Sequence, residues 1–428
     1  MAKKRRGNKD DSKPQKKKRM EIDCSKNEQI TIEEVFTRFP NVSEGIFGSL
    51  DDRSLVSCRE VSKTWQEYVD SLRIFWIRKI LKCANSQSKF HGEWKMILDK
   101  TPIDILKEFA IFLWLEPQRE TSPLYAAGAL GDIELFNRIK EKTGLSEDSK
   151  EYGGSTPFHV AACNNHLNLC KVIIENIEDK NPGCNDDLTP LHQAAIMGHL
   201  KLCELIMKKI PNKNPGCKKG LTPLHGAAAK GHLQVCKLIM GKLCAKNPGC
   251  KMGVTPLHIA AYNGQLAVCQ LILEKVADVN PRSNSGTTPL HQAAGSGHVK
   301  IYQLIYEKIA ATGFRLRSMK SVKKDGMNPG NNKGTTPLHV AARLGQFEIC
   351  KFLCLNLEEK NPKDEDGTTP LHVAAKHGQF DICKLLCLNL KEKNPKDESG
   401  RTPVDIAYHN KQWEILHFLI AENNFQCS

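Results

Sequence analysis

The chain has 428 residues, and its formal net charge of +14 is concentrated in two short segments. Residues 1–20 carry +8 and residues 311–325 carry +4, so the remaining 393 residues share only +2. A nearly neutral body argues against a broad nucleic-acid-binding face. No apolar run approaches the roughly 18 residues of a membrane span. No apolar run comes after the basic N-terminus, so we expect no secretory signal. Seventeen cysteines then indicate a reducing compartment.

Residues 1–30 are predicted to form a disordered basic tail, because the charged stretch lacks aromatic residues and periodicity. Two basic clusters lie in it, and together they resemble a bipartite nuclear import signal. The resemblance implies that the protein is nuclear, and it is compatible with an additional pool in the cytoplasm. A solvated tail or a nonspecific nucleic-acid tether is the alternative. The residues of the two clusters are Lys3, Lys4, Arg5, Arg6 and Lys16, Lys17, Lys18, Arg19.

Residues 31–80 are predicted to form a small module of three helices. Ser43 and Asp52 are placed to cap the first two helices, and Val61, Trp65 and Val69 lie at helical spacing on the third. A unit of this size rarely buries a sufficient core of its own. The module is therefore expected to pack on a partner or on the next domain.

The residue order in this module is similar to the F-box motif, with Phe39-Pro40, Ile46-Phe47, Leu50, Ser54-Leu55 and Val61-Ser62-Lys63-x-Trp65. The resemblance implies docking on a Skp-type adaptor, which connects the module to a cullin–RING ubiquitin ligase. A helical cap on the next domain, without an adaptor, is the alternative. The resemblance assigns adaptor binding to Pro40, Ile46, Phe47, Leu50, Leu55, Val61 and Trp65.

Residues 81–118 are predicted to be a helical linker of two amphipathic helices broken at Thr101-Pro102. After it, the tetrapeptide Thr-Pro-Leu-His or a near copy returns every 33 residues, with one interval of 48. Thr is a favoured N-cap and Pro is favoured at the first helical position, so each copy predicts a helix start. The copies open at Thr156, Thr189, Thr222, Thr255, Thr288, Thr336, Thr369 and, as Thr-Pro-Val-Asp, Thr402.

This period and tetrapeptide resemble the ankyrin consensus. The resemblance implies an all-α solenoid of helix pairs with hairpin turns over residues 119–428, with nine repeats if the unit from Ser122 is counted. The Asn-Pro-Gly at Asn214 and its equivalents is predicted to supply the hairpin turn, and Gly198 and its equivalents to end the first helix. We expect terminal repeats with a more polar outer face. Residues 311–325 are predicted to extend the loop after a second helix.

Cysteines and histidines recur at the same 33-residue stride, as Cys170 and His159 illustrate. Equivalent positions in stacked repeats form a ladder about 8–10 Å apart and do not converge on one ion. The helical cysteines are therefore predicted to be core residues, and the motif histidines to satisfy backbone groups of adjacent repeats. The turn cysteines Cys184, Cys217 and Cys250 are expected to be more exposed. No catalytic or phosphate-binding motif occurs, so neither an enzyme nor a cofactor is expected.

The sequence thus favours a substrate receptor in a ubiquitin ligase, with the array binding a protein target on its concave face. A nuclear ankyrin scaffold without ubiquitin chemistry is the alternative. Membrane and nucleic acid are not expected as partners. Target contact is predicted at residues that vary between repeats, with basic hairpin tips toward the middle and acidic tips toward the C-terminus. These residues are Lys218, Lys219, Lys230, Lys251, Tyr262, Arg343, Asp364, Glu365 and Asp366.

Overall fold

A computed structural model describes residues 101–103, 105–106, 122–150, 152–316 and 327–424. The chain divides into two units, Met1–Trp76 and Ile77–Ser428, and all described residues belong to the second. Most of the predicted tail, module and linker lies outside the described residues, as does 317–325 of the insertion.

The described residues form eighteen α-helices and no strand, arranged as nine consecutive pairs. The first helix of each pair is here called the inner helix and the second the outer helix. The inner helices are α1 (Pro123–Leu130), α3 (Pro157–Cys163), α5 (Pro190–Ile196), α7 (Pro223–Lys230), α9 (Pro256–Tyr262), α11 (Pro289–Gly295), α13 (Pro337–Arg343), α15 (Pro370–Lys376) and α17 (Pro403–His409). The outer helices are α2 (Ile133–Thr143), α4 (Leu167–Asn176), α6 (Leu200–Lys209), α8 (Leu233–Gly241), α10 (Leu266–Leu273), α12 (Val299–Leu316), α14 (Phe347–Asn356), α16 (Phe380–Asn389) and α18 (Trp413–Asn424).

Each tetrapeptide inner helix begins at the proline of its motif, as the sequence predicts. In α5, Thr189 is the extended N-cap residue, Pro190 comes next, and Gly198 adopts a positive φ of 79° just after the helix ends. A side chain at Gly198 would meet the ring of His232 in the next repeat, so this position requires glycine for space as well as for conformation. The paired alanines Ala194 and Ala195 are fully buried, which permits close stacking.

Each outer helix buries one apolar face against its neighbours. In α6 the buried residues are Leu202, Cys203, Ile206 and Met207, which recur at helical spacing. Inner helices pack on inner helices and outer helices on outer helices along the array. The result is a continuous core in which each pair covers the next.

The hairpin between repeats turns at a place that the sequence prediction missed. In the repeat that precedes α7, the turn is closed by the N–H of Gly220 donating to the carbonyl of Cys217, beyond Asn214-Pro215. The side chain of Asn214 instead accepts the N–H of Leu224 at 3.1 Å, in the first turn of α7. The asparagine of Asn-Pro-Gly therefore caps the start of the next inner helix, by accepting an N–H ten residues later in the chain, and the tripeptide is not the turn itself. Its glycine is replaced by Lys363 in a later repeat.

The insertion also departs from its prediction as a loop. Helix α12 has 18 residues and continues to Leu316, so the first six residues of 311–325 are helical. Tyr302 of α12 is fully buried where most repeats carry cysteine, and its hydroxyl donates to the carbonyl of Met327 at 3.2 Å. Tyr306 donates to the carbonyl of Asn356 at 3.3 Å. Tyr302 thus holds the point at which the chain returns to the array, and Tyr306 joins α12 to the last residue of α14.

The outer face of the last repeat carries both polar and apolar side chains, so the prediction of a more polar face is only partly met. Tyr408 stands where the other tetrapeptide repeats have the buried second alanine, and 58% of its surface is exposed. Ile420 is also exposed, whereas Cys387 at the same position one repeat earlier is buried. On this side the last repeat therefore exposes these two apolar side chains together with Asp405, which takes the place of the buried motif histidine.

Candidate protein-binding surface

The tetrapeptide histidine connects each repeat to the next. In the second copy of the motif, Nδ1 of His192 accepts the N–H of Thr189 at 3.1 Å, and the Thr189 hydroxyl lies 2.9 Å from the same nitrogen. The other ring nitrogen, Nε2, lies 3.1 Å from the carbonyl of Leu221 in the next repeat. The prediction that these imidazoles satisfy backbone groups of adjacent repeats is confirmed. They are occupied by the fold and are not ligands.

This geometry fixes the protonation state of the histidines. A nitrogen that accepts a backbone N–H carries no proton, so Nε2 carries it and donates to the carbonyl. Burial lowers the pKa of His159, His225 and His291 to about 4, which keeps them neutral. In the last repeat Asp405 takes the same place and accepts both the N–H and the hydroxyl of Thr402.

The hairpin tips form a ladder of backbone hydrogen bonds along the array. The N–H of Lys218 donates to the carbonyl of Asp186, the N–H of Lys251 to Lys219, and the N–H of Glu365 to Lys333. Each tip is thereby fixed against the preceding tip. Side chains at the tips consequently project from a rigid row rather than from independent loops.

The basic tip residues predicted to contact a target lie on this row. Lys218, Lys219 and Lys251 are all exposed, and they occupy neighbouring tips. No hydrogen bond involves any of their ammonium groups in the described part of the chain. They form a positively charged stretch in the middle of the array.

The acidic tips toward the C-terminus contain both exposed and structural carboxylates. Glu365 and Asp366 are exposed. Asp364 is half-buried, and its Oδ1 accepts the N–H of Asp366 at 3.1 Å and that of Thr368 at 2.8 Å. This carboxylate closes the turn, and the contact role of Asp364 stays a prediction. Asp397 does the same in the next tip.

The remaining predicted contact residues lie at the C-terminal ends of inner helices. Lys230, Tyr262 and Arg343 are the last residues of α7, α9 and α13, and all three are exposed. The carbonyl of Tyr262 accepts from the ring of His298, which fixes the backbone while the side chain stays exposed. The tips precede the inner helices and these residues end them, so the two groups are separated by at least the length of an inner helix, about 10 Å for about seven residues.

Comparison with protein-family models finds ankyrin repeats at residues 124–215, 209–283, 278–364 and 355–428. A second model, for the F-box domain, matches residues 36–77. The chain is an F-box/ankyrin-repeat protein. A search of the curated proteins finds no match.

The adaptor-binding residues predicted for this F-box/ankyrin protein all fall within the matched segment 36–77. Pro40, Ile46, Phe47, Leu50, Leu55, Val61 and Trp65 lie outside the residues that the structure describes, and so do the basic clusters at Lys3–Arg6 and Lys16–Arg19. Their roles stay predictions.

The cysteines of the F-box/ankyrin protein are core residues where the sequence predicts it. Burial raises the pKa of Cys170, Cys203 and Cys236 to about 12, so these thiols are inert at neutral pH. The turn cysteines are not uniformly exposed, since Cys217 is buried. Among the described residues, no group of three or more His, Cys, Asp or Glu side chains is placed to hold a metal ion. None of the helices described here is long and apolar enough to cross a membrane.

Sequence reasoning missed the apolar part of the exposed surface. Leu344 directly follows α13 and Trp413 begins α18, and these side chains are 49% and 52% exposed. The ring of Trp413 lies edge-on to Tyr408, with centroids 6.0 Å apart. The degenerate last repeat was the available signal, because Tyr408 replaces a small residue there.

Proposed function

We propose that this F-box/ankyrin protein is a substrate receptor of a cullin–RING ubiquitin ligase. The observation that carries the proposal is the presence, in one chain, of an F-box segment and a long array of interaction repeats. The F-box binds a Skp-type adaptor, the adaptor binds cullin, and the array binds the target protein. Both modules act by binding, and the chemistry belongs to the assembled ligase.

The mechanism is an increase in effective concentration. A target held on the array stays near the ligase for as long as it is bound, so transfer to its lysines becomes effectively intramolecular. The ladder of hairpin tips supports this role because it presents variable side chains on a rigid backbone. The contact residues we propose are Lys218, Lys219, Lys251, Glu365 and Asp366 on the tips, together with Lys230, Tyr262 and Arg343 on the inner helices.

Replacing Leu50 and Trp65 together by alanine should abolish capture of the Skp-type adaptor. Truncation of an interface hot spot costs about 2 kcal/mol or more, so the double variant should bind roughly 1000-fold more weakly. Co-purification of adaptor with the full-length chain measures this. Circular dichroism should show an unchanged helical signal from the array.

A variant with Lys218→Glu and Lys219→Glu serves as the control, since its changes lie on the array and should leave adaptor capture intact. Undiminished adaptor capture by the Leu50→Ala/Trp65→Ala variant would contradict the proposal that the F-box segment binds the adaptor through these residues. A chain that binds nuclear proteins but no adaptor would be a scaffold instead.

We also propose nuclear import through the two N-terminal basic clusters. Neutralising Lys3–Arg6 and Lys16–Arg19 by alanine should shift a fluorescent fusion from the nucleus to the cytoplasm, because import receptors bind such clusters through their charge. Imaging of live cells measures the nuclear-to-cytoplasmic ratio, which should fall several-fold. A wild-type fusion that is already cytoplasmic at steady state contradicts the proposal.

A further inference from the structure

Three basic side chains occupy the same position in the last three repeats. Arg343, Lys376 and His409 are the final residues of α13, α15 and α17, and all are exposed. We call these three residues the basic column. The equivalent residues of the five preceding tetrapeptide repeats are Cys163, Ile196, Ala229, Tyr262 and Gly295.

The helix dipole alone does not account for the basic column. A cation near a helix C-terminus is stabilised in any repeat. Five repeats with an equivalent inner helix nevertheless have an uncharged residue at this position. The same three repeats also carry an exposed carboxylate in the first turn of each outer helix, at Glu348, Asp381 and Glu414. In the described part of the chain no ion pair joins these carboxylates to the basic column, so its side chains stay available to a partner.

The basic column lies beside a fourth titratable group. His377 directly follows Lys376 and is exposed. Partial burial together with the charges of Lys376 and Arg343 lowers the pKa of His377. Two neighbouring inner helices thus present their positive charges to the same region of the surface.

Exposed apolar side chains border the basic column at both ends. Leu344 follows Arg343 directly, and Tyr408 packs edge-on against both His409 and Trp413. Tyrosine and tryptophan are among the residue types most often found at interface hot spots. Charge and apolar area in one place indicate a binding surface for a partner that has both.

The spacing of the basic column selects an extended chain. Neighbouring packed helices lie about 8–10 Å apart. An extended peptide in the polyproline II conformation advances about 3.1 Å per residue with three residues per turn, so every third residue advances about 9 Å and lies on the same side of the peptide. A peptide that runs across the inner-helix ends can therefore place one carboxylate opposite each side chain of the basic column.

The tips of the same repeats define the other edge of this surface. Glu365, Asp366 and Glu398 are exposed in the hairpin tips that precede α15 and α17. A polynucleotide carries negative charge along its whole backbone and would be repelled there. A peptide with its acidic side chains on one edge only avoids this repulsion.

We propose that the basic column and its apolar border bind an extended, acidic segment of the target protein with acidic residues at every third position and apolar residues between them. The proposal rests on the proposed function in one respect, namely that the array holds the target. It adds the chemical class of the segment and the part of the array that receives it.

The test uses the full-length chain and a fluorescein-labelled peptide of about 12 residues, with aspartate at every third position and leucine or proline between. A peptide of the same composition with its aspartates contiguous is the matched probe. Fluorescence anisotropy should show about tenfold tighter binding of the spaced peptide, weakening as salt is raised. A labelled oligothymidylate is the third probe and should bind more weakly than the spaced peptide.

The decisive variant is Arg343→Glu/Lys376→Glu, which should lose about tenfold or more in affinity for the spaced peptide. Its control is Lys351→Glu/Lys384→Glu, which makes the same charge change on exposed positions of the outer helices of the same two repeats. That control should bind within about twofold of the wild type. Both variants should unfold at the wild-type temperature, because all four side chains are exposed.

Equal affinity for the two peptides would contradict the spacing argument. An equal loss of affinity in the two variants would mean that only the net charge of the array matters, and it would contradict the basic column as the site. Tighter binding of the oligothymidylate than of the spaced peptide would contradict the proposal and indicate a nucleic-acid ligand. Adaptor capture is measured on the same preparations. Loss of adaptor capture with intact peptide binding would contradict the proposed function but not the peptide-binding surface. Intact adaptor capture without binding of the spaced peptide would contradict the surface but not the proposed function.

Discussion

Replacing His225 by leucine should destabilise the array by about 3–5 kcal/mol, although leucine is a similar size and the site is buried. His225 accepts the N–H of Thr222 at 3.1 Å and approaches the carbonyl of Val254 in the next repeat at 3.0 Å. Leucine would leave the buried N–H of Thr222 without an acceptor. It would also remove the contact of the imidazole with the Thr222 hydroxyl, and the carbonyl of Val254 would keep only the N–H of Cys250. A buried polar group left unsatisfied costs about 1–3 kcal/mol.

Urea unfolding followed by circular dichroism measures the loss. His225→Asn separates its two parts, since an amide oxygen can still accept from Thr222 but does not reach the next repeat, and an intermediate loss is expected. His377→Leu is the matched control at an exposed histidine and should change stability by less than about 0.5 kcal/mol. Equal effects at His225 and His377 would show that the imidazole bridge contributes nothing.

Stability of the array should fall steeply as the pH decreases from about 6.5 toward 4. The pKa of His159, His225 and His291 is about 4 in the folded array, against about 6.5 in an unfolded chain. Between these values the unfolded chain binds more protons, so stability rises with pH there and is complete above about 6.5. Near pH 5 each such histidine contributes a slope of about 1.4 kcal/mol per pH unit.

The urea midpoint at about pH 7.5 should therefore be well above that at about pH 5. The remaining tetrapeptide histidines strengthen the effect, because burial also lowers the pKa of His192, His258, His339 and His372. In the His225→Asn variant the free energy of unfolding should depend less steeply on pH than in the wild type, because the contribution of one histidine is lost. A midpoint that stays constant across this interval would mean that the imidazoles are not neutral in the fold.

The fold could be predicted from the sequence because each structural demand is met locally and repeatedly. Thr189, Pro190 and His192 specify a helix start within four residues, and a period of 33 residues repeats this pattern along the array. The turn was misplaced for a physical reason. Asn-Pro is a common turn signal, but the Asn214 side chain bonds ten residues ahead, and no local propensity reports so distant a partner.

The candidate surface was predicted less completely. Exposed lysines such as Lys218 could be named because their position differs between repeats. The sequence shows the charge of Asp364 but not that Asp366 and Thr368 donate to it, so its part in closing the turn was not predicted. The exposure of Trp413 depends on whether another element packs on the last repeat, and a repeat pattern carries no information about that.

The most direct test of the central claim is an affinity purification of the full-length chain from cells, probed for the Skp-type adaptor and for cullin. A substrate receptor should recover both in amounts comparable to its own, with the adaptor lost from the Leu50→Ala/Trp65→Ala variant and retained by variants of the array. Recovery of array partners without adaptor or cullin would contradict the ligase function and leave an ankyrin scaffold.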